Sequence, residues 1–203
     1  MDKFRYNEAI RTTVREALKI TNREFVIGHV GRFSKEKNHE FLINIFSELR
    51  LKNSNAKLIL VGDGNLNSKI KGLVNLKGLK DKVIFTGNVN NVQDYMQAMD
   101  FFIFPSSYEG LGLVAIEAQA VGLPCLLSTG CPLESKVTDL VDFARLDSGV
   151  KPWVDKIIIK KNLIRAKYNR EVKEAGYSLS DLKKQIEIMY FNYQGDMTRN
   201  EQS

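Results

Sequence analysis

The stretch from Asp100 to Cys125, DFFIFPSSYEGLGLVAIEAQAVGLPC, constrains the fold of this chain more than any other segment. Its aromatic start, Phe101 to Phe104, has the length and composition of a strand buried on both faces, and a proline ends it. A polar loop follows, and apolar residues then recur at helical spacing up to Gly122, where a glycine favours a helix C-terminus. The pattern predicts a strand, a loop, a helix and a second strand, which is the unit of parallel α/β sheets.

The loop of this unit is the expected place for a ligand. In open α/β sheets ligands bind at the carboxyl ends of the strands, and a helix N-terminus offers free N–H groups to an anion. Glu109 lies in the loop and Glu117 about two helical turns further, so both carboxylates can face one crevice. Gly110 and Gly112 let a ligand approach the backbone closely. From the residues alone, Glu109 is equally well explained as a helix-capping group, and Glu117 as a solvated residue or a ligand for hydroxyl groups.

Strands and helices alternate along the rest of the chain, which predicts one doubly wound parallel sheet. Apolar, β-branched runs predict the other strands at 25–30, 56–61, 83–85, 124–127 and 141–146. Helical spacing predicts helices from residue 10 towards residue 21, from residue 38, and at 66–76, 91–99 and 151–159. Two more helices are expected beyond residue 160, with a break at Gly176 and Ser180 capping the second. We expect one domain over residues 1–195 and a flexible tail over 196–203.

Composition fits one soluble domain with an anionic partner. The chain has 203 residues, 43% of them hydrophobic, and a net charge of +6. The surplus of positive charge suits nucleotide phosphates, nucleic acid or a membrane surface without choosing among them. No run of about 18 apolar residues and no signal-like N-terminus is present. The two cysteines favour reduced thiols in a cytoplasmic protein.

A second polar loop follows the strand at 25–30. In GRFSKEKNHE, Arg32 and Lys37 are close enough to converge on a diphosphate, and Gly31 permits the tight turn between strand and loop. The alternative is a solvated basic loop that also includes Lys35. His29, inside the strand, is interpreted as a structural histidine.

The turn after the next strand is a weaker candidate. Gly62 begins a Gly-Asp-Gly turn whose N–H groups can approach a ligand.

These motifs together resemble a known family. EGLGLVAIEAQAVGLP, preceded by FPS, resembles the paired-glutamate signature of the retaining glycosyltransferase family 4, also called group 1, and GRFSKEKN resembles its phosphate-binding loop. The resemblance implies that Glu109 contacts the donor sugar and Glu117 the ribose, while Arg32 and Lys37 hold the diphosphate. Glu109, Arg32 and Lys37 are thus the implied catalytic residues.

The resemblance also implies which backbone groups surround the nucleotide sugar. The turn that includes Leu111 and Leu113 would contact the donor, and GNVNNVQDYM resembles the segment that holds the nucleobase, with Val89 and Asn91 as candidates. Gly112 departs from the family pattern, because many relatives carry proline there.

As a whole, the resemblance implies a Rossmann-like domain that forms the C-terminal, donor-binding half of a GT-B fold. It implies sugar transfer from a nucleotide-diphosphate sugar, with UDP as the expected nucleotide, in capsule or exopolysaccharide biosynthesis. No cofactor and no metal are expected. A saccharide or lipid-linked acceptor would bind an N-terminal domain or partner chain that this sequence lacks. The expected location is the cytoplasm or the inner face of the membrane, and peripheral contact with the membrane is left open.

Two alternatives stay open. The chain can be a nucleotide-binding fragment that is inactive alone, or a basic α/β module that binds nucleic acid. Against nucleic acid as a partner, the lysines and arginines between residues 151 and 184 are scattered around helices instead of forming one stripe. A P-loop, a dinucleotide fingerprint, a nucleophile elbow and metal-ligand spacing are all absent from the sequence.

Overall fold

The structure is a computed structural model that describes residues 2–159 and 168–177. Six parallel strands form one sheet in the order β3-β2-β1-β4-β5-β6. The strands are β1 (Phe25–Val30), β2 (Ala56–Val61), β3 (Val83–Gly87), β4 (Phe101–Phe104), β5 (Cys125–Ser128) and β6 (Val141–Ala144). The helices are α1 (Glu8–Ala17), α2 (His39–Lys52), α3 (Asn67–Leu76), α4 (Val92–Ala98), α5 (Leu113–Ala120), α6 (Val150–Ile159) and α7 (Tyr168–Val172).

The chain order of the strands reverses beside β1. The chain moves outward from β1 to β2 and β3, and then returns to place β4 on the other side of β1. β1 and β4 are in register with Ile27 opposite Phe101. A crevice opens at the carboxyl ends of two strands where the winding direction changes, so the loops after β1 and β4 are brought to one place.

Alternate residues of the strands supply two separate cores, one on each face of the sheet. Val26 and Phe102 belong to the core covered by α4, α5 and α7, whereas Ile27 and Phe101 belong to the core covered by α2, α3 and α6. All four side chains are at most 1% exposed. Such two-sided burial explains why the strands read as continuous apolar runs instead of alternating patterns.

The helix α1 is fixed to the sheet by a buried cation. The Arg15 guanidinium is 3% exposed, donates to the carbonyl oxygens of Ala98, Thr21 and Glu24 at 2.7 to 2.9 Å, and lies 3.4 Å from the Asp100 carboxylate. Burial lowers the pKa of Arg15, and the neighbouring Asp100 opposes that shift. Helical spacing predicts α1, but this anchoring depends on residues more than 80 positions apart in sequence.

Within residues 2–159 and 168–177 the predicted elements are present, and most differences lie at their ends. The second of the two helices predicted beyond residue 160 lies outside these ranges. The first helix ends at Ala17 instead of near residue 21, because Lys19 takes a left-handed conformation with φ of 54°. The glycine expected to end α5, Gly122, has φ of 78° and lies just beyond it. The predicted break at Gly176 is confirmed by its φ of 88°. Ser180 and the tail lie outside the described residues.

Candidate functional site

Backbone hydrogen bonds connect three loops at the carboxyl edge of the sheet. The Ser107 N–H, in the loop after β4, donates to the Glu36 carbonyl oxygen at 2.8 Å, in the loop after β1. The Glu109 N–H donates to the Gly130 carbonyl oxygen at 3.1 Å, in the loop after β5. The loops that carry the predicted cations and the predicted loop acid are therefore held against each other by the backbone.

Lys37 and Glu109 form an ion pair at this edge. The distance between Lys37 Nζ and Glu109 Oε1 is 2.5 Å, and the two side chains are 21% and 12% exposed. The Lys37 ammonium also lies 4.7 Å from the centre of the Phe104 ring. Partial removal from water strengthens both interactions, so Lys37 is oriented before any ligand arrives.

A cavity of about 640 Å³ lies at the same edge of the sheet, and neither Lys37 nor Glu109 lines it. Its walls contain four residues predicted from the sequence: Gly31, Arg32, Gly62 and Val89. A Cβ atom added at Gly31 would lie 3.3 Å from Lys37 Cδ, so the Lys37 stem passes directly against the cavity wall. Of the two predicted cations, the exposed Arg32 lines the cavity, and the half-buried Lys37 reaches its wall only with its stem.

The turn after β2 supports this wall through close backbone contact. Gly62 has φ of +124°, and a Cβ atom there would lie 2.3 Å from the Gly31 carbonyl oxygen. The Gly31 N–H donates to the Val61 carbonyl oxygen at 3.0 Å. Only glycine fits this conformation and this distance, so the Gly-Asp-Gly turn shapes the loop that carries Arg32.

The N-terminus of α5 lies near Lys37. Gly112 is its N-cap residue, with φ of 66° in the left-handed region and no side-chain cap. A Cβ atom at Gly112 would lie 3.6 Å from Phe104, the same ring that Lys37 contacts. The first N–H groups of a helix have no intrahelical acceptor, so this end is suited to an anion.

The other residues of the turn before α5 are open to solvent. Gly110 is exposed, and Leu111 and Leu113 are 39% and 53% exposed. The Leu111 carbonyl oxygen is anchored by the Ser135 hydroxyl at 2.8 Å. The turn therefore presents its backbone to the outside while one of its carbonyl groups is fixed.

Eight residues that the sequence grouped with the site do not line the cavity: Lys37, Glu109, Gly110, Leu111, Gly112, Leu113, Glu117 and Asn91. Glu117 is half-buried on α5, and burial raises its pKa, with Lys3 opposing that shift. Asn91 precedes α4, and its amide donates to the Asp94 carboxylate at 2.9 Å. Neither lines the 640 Å³ cavity.

The sequence interpretation missed part of the wall. It is completed by Val30, Val61, Asn88 and Val92, which were not predicted, and by Asp63 and Gly64 of the Gly-Asp-Gly turn, which was. Their positions in the chain could have identified them, because they lie at or just after the carboxyl ends of β1, β2 and β3 or at the start of α4.

His29 is buried in β1, as expected for a structural histidine, but only one of its ring nitrogens is hydrogen-bonded within the described residues. His29 Nδ1 lies 2.9 Å from the Ile103 carbonyl oxygen, whereas Nε2 has no hydrogen-bond partner among the described residues. Burial lowers the pKa of His29 well below its usual value.

Residues 2–159 and 168–177 lack both a metal-binding cluster and a membrane-spanning helix. No group of three or more His, Cys, Asp or Glu side chains suited to a metal ion is found there. None of the helices in these ranges is both long and apolar enough to cross a bilayer.

Comparison with known proteins places most of the chain in one family. Residues 10–174 match the family model described as "Glycosyl transferases group 1". The chain is 32% identical over 145 residues to "Uncharacterized glycosyltransferase MJ1059" of Methanocaldococcus jannaschii, covering 68% of this chain and 35% of that protein. It is 38% identical over 104 residues to "Lipopolysaccharide core biosynthesis glycosyltransferase LpsD" of Rhizobium meliloti, covering 51% and 29%. The chain thus spans about a third of the length of these relatives.

Solved structures confirm the predicted fold class. Anabaena Alr3699/HepE, crystallised with UDP and glucose, superposes with a TM-score of 0.78 at 19% identity, covering 93% of this chain and 54% of that one. At this identity the likeness concerns the fold alone. The expected parallel α/β domain, equivalent to about half of a GT-B enzyme, is confirmed.

Proposed function

Because this chain belongs to the group 1 glycosyltransferases, we propose that it is the domain that binds the nucleotide-diphosphate sugar donor. The observation that carries the proposal is the meeting of Lys37 with Glu109 at 2.5 Å, at the same edge of the sheet as a cavity that Arg32 lines. In the proposal, Arg32, Lys37 and the N-terminus of α5 act together on one diphosphate.

In this proposal the cations act on the leaving group. The bond between the sugar and the diphosphate breaks, so negative charge grows on the departing nucleoside diphosphate. Arg32, Lys37 and the first N–H groups of α5 would stabilise that charge more strongly in the transition state than in the bound donor. Positive charge supplied in this way can replace a divalent cation, so we expect binding without added metal.

The two glutamates take separate roles in the proposal. Glu109 would orient the donor sugar and stabilise positive charge at its anomeric carbon, and its ion pair with Lys37 would keep it near the diphosphate. Glu117 would bind the ribose hydroxyl groups. Retention of anomeric configuration belongs to the proposal and is supported by the family motif.

UDP is the nucleotide we propose, and polysaccharide assembly the process. Support comes from HepE, which was crystallised with UDP and glucose, and from LpsD, whose name gives lipopolysaccharide core biosynthesis. The acceptor would be a saccharide or a lipid-linked saccharide held by a further domain or partner chain. We place the reaction in the cytoplasm, at the inner face of the membrane.

Isothermal titration calorimetry with UDP tests the donor-site assignment. Arg32→Ala and Lys37→Ala should each weaken UDP binding by about 2 kcal/mol, because each removes one charge-assisted contact to phosphate. Lys52→Ala is the matched control, since Lys52 lies at the far end of α2 and pairs with Asp155 at 2.8 Å. Unchanged affinity in both site variants would refute the assignment.

The choice of nucleotide is tested separately. A thermal-shift screen of nucleotide sugars should show the largest rise in melting temperature with a UDP-sugar, because a ligand that binds only the folded state stabilises it. A larger rise with a GDP- or ADP-sugar would keep the donor role and change the nucleotide. The absence of any rise at millimolar concentration would contradict donor binding.

A further inference from the structure

The loop after β5, residues 129–140, packs against the turn that opens α5. It contains one turn of 3-10 helix, Leu133–Ser135, whose last residue is fully buried. The Ser135 hydroxyl donates to the Leu111 carbonyl oxygen at 2.8 Å. A Cβ atom added at Gly112 would lie 3.4 Å from the same hydroxyl oxygen. Ser135 therefore contacts both residues that immediately precede α5.

Gln119, near the other end of α5, holds Ser135 in place. The Gln119 side chain is fully buried, and its amide nitrogen donates to the carbonyl oxygens of Ser135 at 2.7 Å and Ala115 at 3.0 Å. Its amide oxygen accepts from the N–H groups of Val137 and Thr138 at 3.0 and 2.9 Å, and from the Thr138 hydroxyl at 3.1 Å. Because both the donors and the acceptor of this buried amide are occupied, its orientation is well defined.

The turn before α5 has no capping side chain of its own. Gly112 is the N-cap residue, with φ of 66° and no side-chain hydrogen bond to the helix. Glycine has the widest choice of backbone conformations, and a serine or aspartate at this position would normally restrict the turn by capping. Ser135 supplies that restriction from outside the helix, because it binds the turn and is itself bound by Gln119.

The same loop contacts the turn at a second point. The Glu109 N–H donates to the Gly130 carbonyl oxygen at 3.1 Å, and a Cβ atom added at Gly130 would lie 2.3 Å from the Ser107 carbonyl oxygen. The loop after β5 thus holds the first half of the 107–113 segment through Gly130 and the second half through Ser135. One loop therefore sets the position of both Glu109 and the start of α5.

We propose that Ser135 is a positioning residue for donor binding, because it fixes the turn that orients the first N–H groups of α5 towards the diphosphate. The positioning role rests on the proposed function. Ser135 is fully buried, so it would act through Leu111 and Gly112 and touch no ligand itself. A turn that is ordered before the ligand arrives loses less conformational entropy on binding, so the hydroxyl should raise affinity without contributing charge.

Ser135→Ala removes the hydroxyl and leaves every charge of the site in place. It should weaken the binding of UDP and of pyrophosphate by the same factor, about threefold or more, because both ligands present a diphosphate to α5. The matched control is Thr138→Val, which removes a buried hydroxyl that is bonded to Gln119 instead of to the turn. Calorimetry measures the affinities, and urea denaturation verifies that both variants fold.

Amide hydrogen exchange reports on the turn in the protein without ligand. The Ala115 N–H donates to the Gly112 carbonyl oxygen at 2.8 Å, so its exchange rate depends on how well the turn is ordered. The Ala115 amide should exchange about fivefold or more faster in Ser135→Ala than in the wild-type protein. Thr138→Val should leave this rate unchanged. NMR measures both.

Three results would overturn the proposal: equal diphosphate affinities in Ser135→Ala and Thr138→Val, unchanged Ala115 exchange in Ser135→Ala, or a loss for UDP without a loss for pyrophosphate. The last result would place the effect at the nucleoside instead of the diphosphate. If the wild-type protein binds neither ligand, the proposed donor function fails and the positioning role fails with it. If the wild-type protein binds both ligands and Ser135→Ala binds them equally well, only the positioning role fails.

Discussion

At the residue scale, the proposed donor site depends on the ion pair between Lys37 and Glu109. Glu109 neutralises the Lys37 ammonium at 2.5 Å, so an incoming diphosphate must share that cation with the carboxylate or take its place. The pair is 12% to 21% exposed, which places its strength between that of a surface pair and a fully buried one.

Glu109→Gln should therefore raise the affinity for pyrophosphate, a ligand without a sugar. The gain should be about 1 kcal/mol, the scale of a partly exposed ion pair. Calorimetry with pyrophosphate measures it, and Glu134→Gln, which removes an exposed charge from the loop after β5, controls for long-range charge. Equal or weaker binding in Glu109→Gln would show that the carboxylate does not compete for Lys37.

Glu117 offers a second test at this scale, because stability and binding should move in opposite directions. Burial raises the pKa of Glu117 in the folded state. The free energy of unfolding therefore falls as the pH rises and Glu117 becomes charged. Glu117→Gln should raise the melting temperature at pH 7 and weaken UDP binding, while pyrophosphate binding stays nearly unchanged. Equal losses for UDP and pyrophosphate would contradict a ribose role.

At the scale of elements, two glycines in neighbouring segments should respond oppositely to the same substitution. Gly62, in the turn after β2, has φ of +124° and no space for a Cβ atom, whereas Gly72 lies within α3 with nothing within 4 Å of such an atom. The turn needs glycine to approach Gly31, and the helix does not.

Gly62→Ala should cost about 2 kcal/mol or more of unfolding free energy, from backbone strain and collision with the Gly31 carbonyl. Gly72→Ala should gain about 1 kcal/mol, because alanine favours the helix and restricts the unfolded chain. Urea denaturation of both variants measures the two changes. Changes of the same sign would mean that the turn after β2 adapts to a side chain.

At the scale of the whole molecule, the two buried histidines should make stability depend on pH. Burial is the main cause that lowers the pKa of His39 to about 4, with Lys37 adding to it. Burial also lowers the pKa of His29 well below its usual value. Both folded-state values lie below the unfolded value near 6.5, so the unfolded state binds more protons in this window. Stability is then present above pH 6.5 and is lost as pH falls.

His39 alone should remove about 2 kcal/mol of unfolding free energy between pH 7 and pH 5. His29 acts in the same direction. Denaturant titrations at the two pH values measure the loss, and His39→Gln should show a smaller one. Equal stability of the wild-type protein at pH 7 and pH 5 would contradict this prediction, because it would mean that the folded state binds protons as readily as the unfolded state.

The sequence by itself determined the elements of this protein. Strands and helices are set by local periodicity, and Gly122 and Gly176 are set by backbone conformations that other residues avoid, so each can be recognised from its neighbours. The two loops and their charged residues were found in the same way, because turn residues follow apolar runs directly.

The tertiary structure decided which of these residues meet. Lys37 and Glu109 lie 72 positions apart, and their contact depends on β4 returning beside β1. The same strand order brings Asn88 and Val92 into the cavity wall and leaves Asn91 outside it. Packing also buries the His39 ring without a hydrogen-bond partner among the described residues. Local spacing fixes the direction of each side chain on its own element, whereas distances between elements follow from the order in which the strands pack.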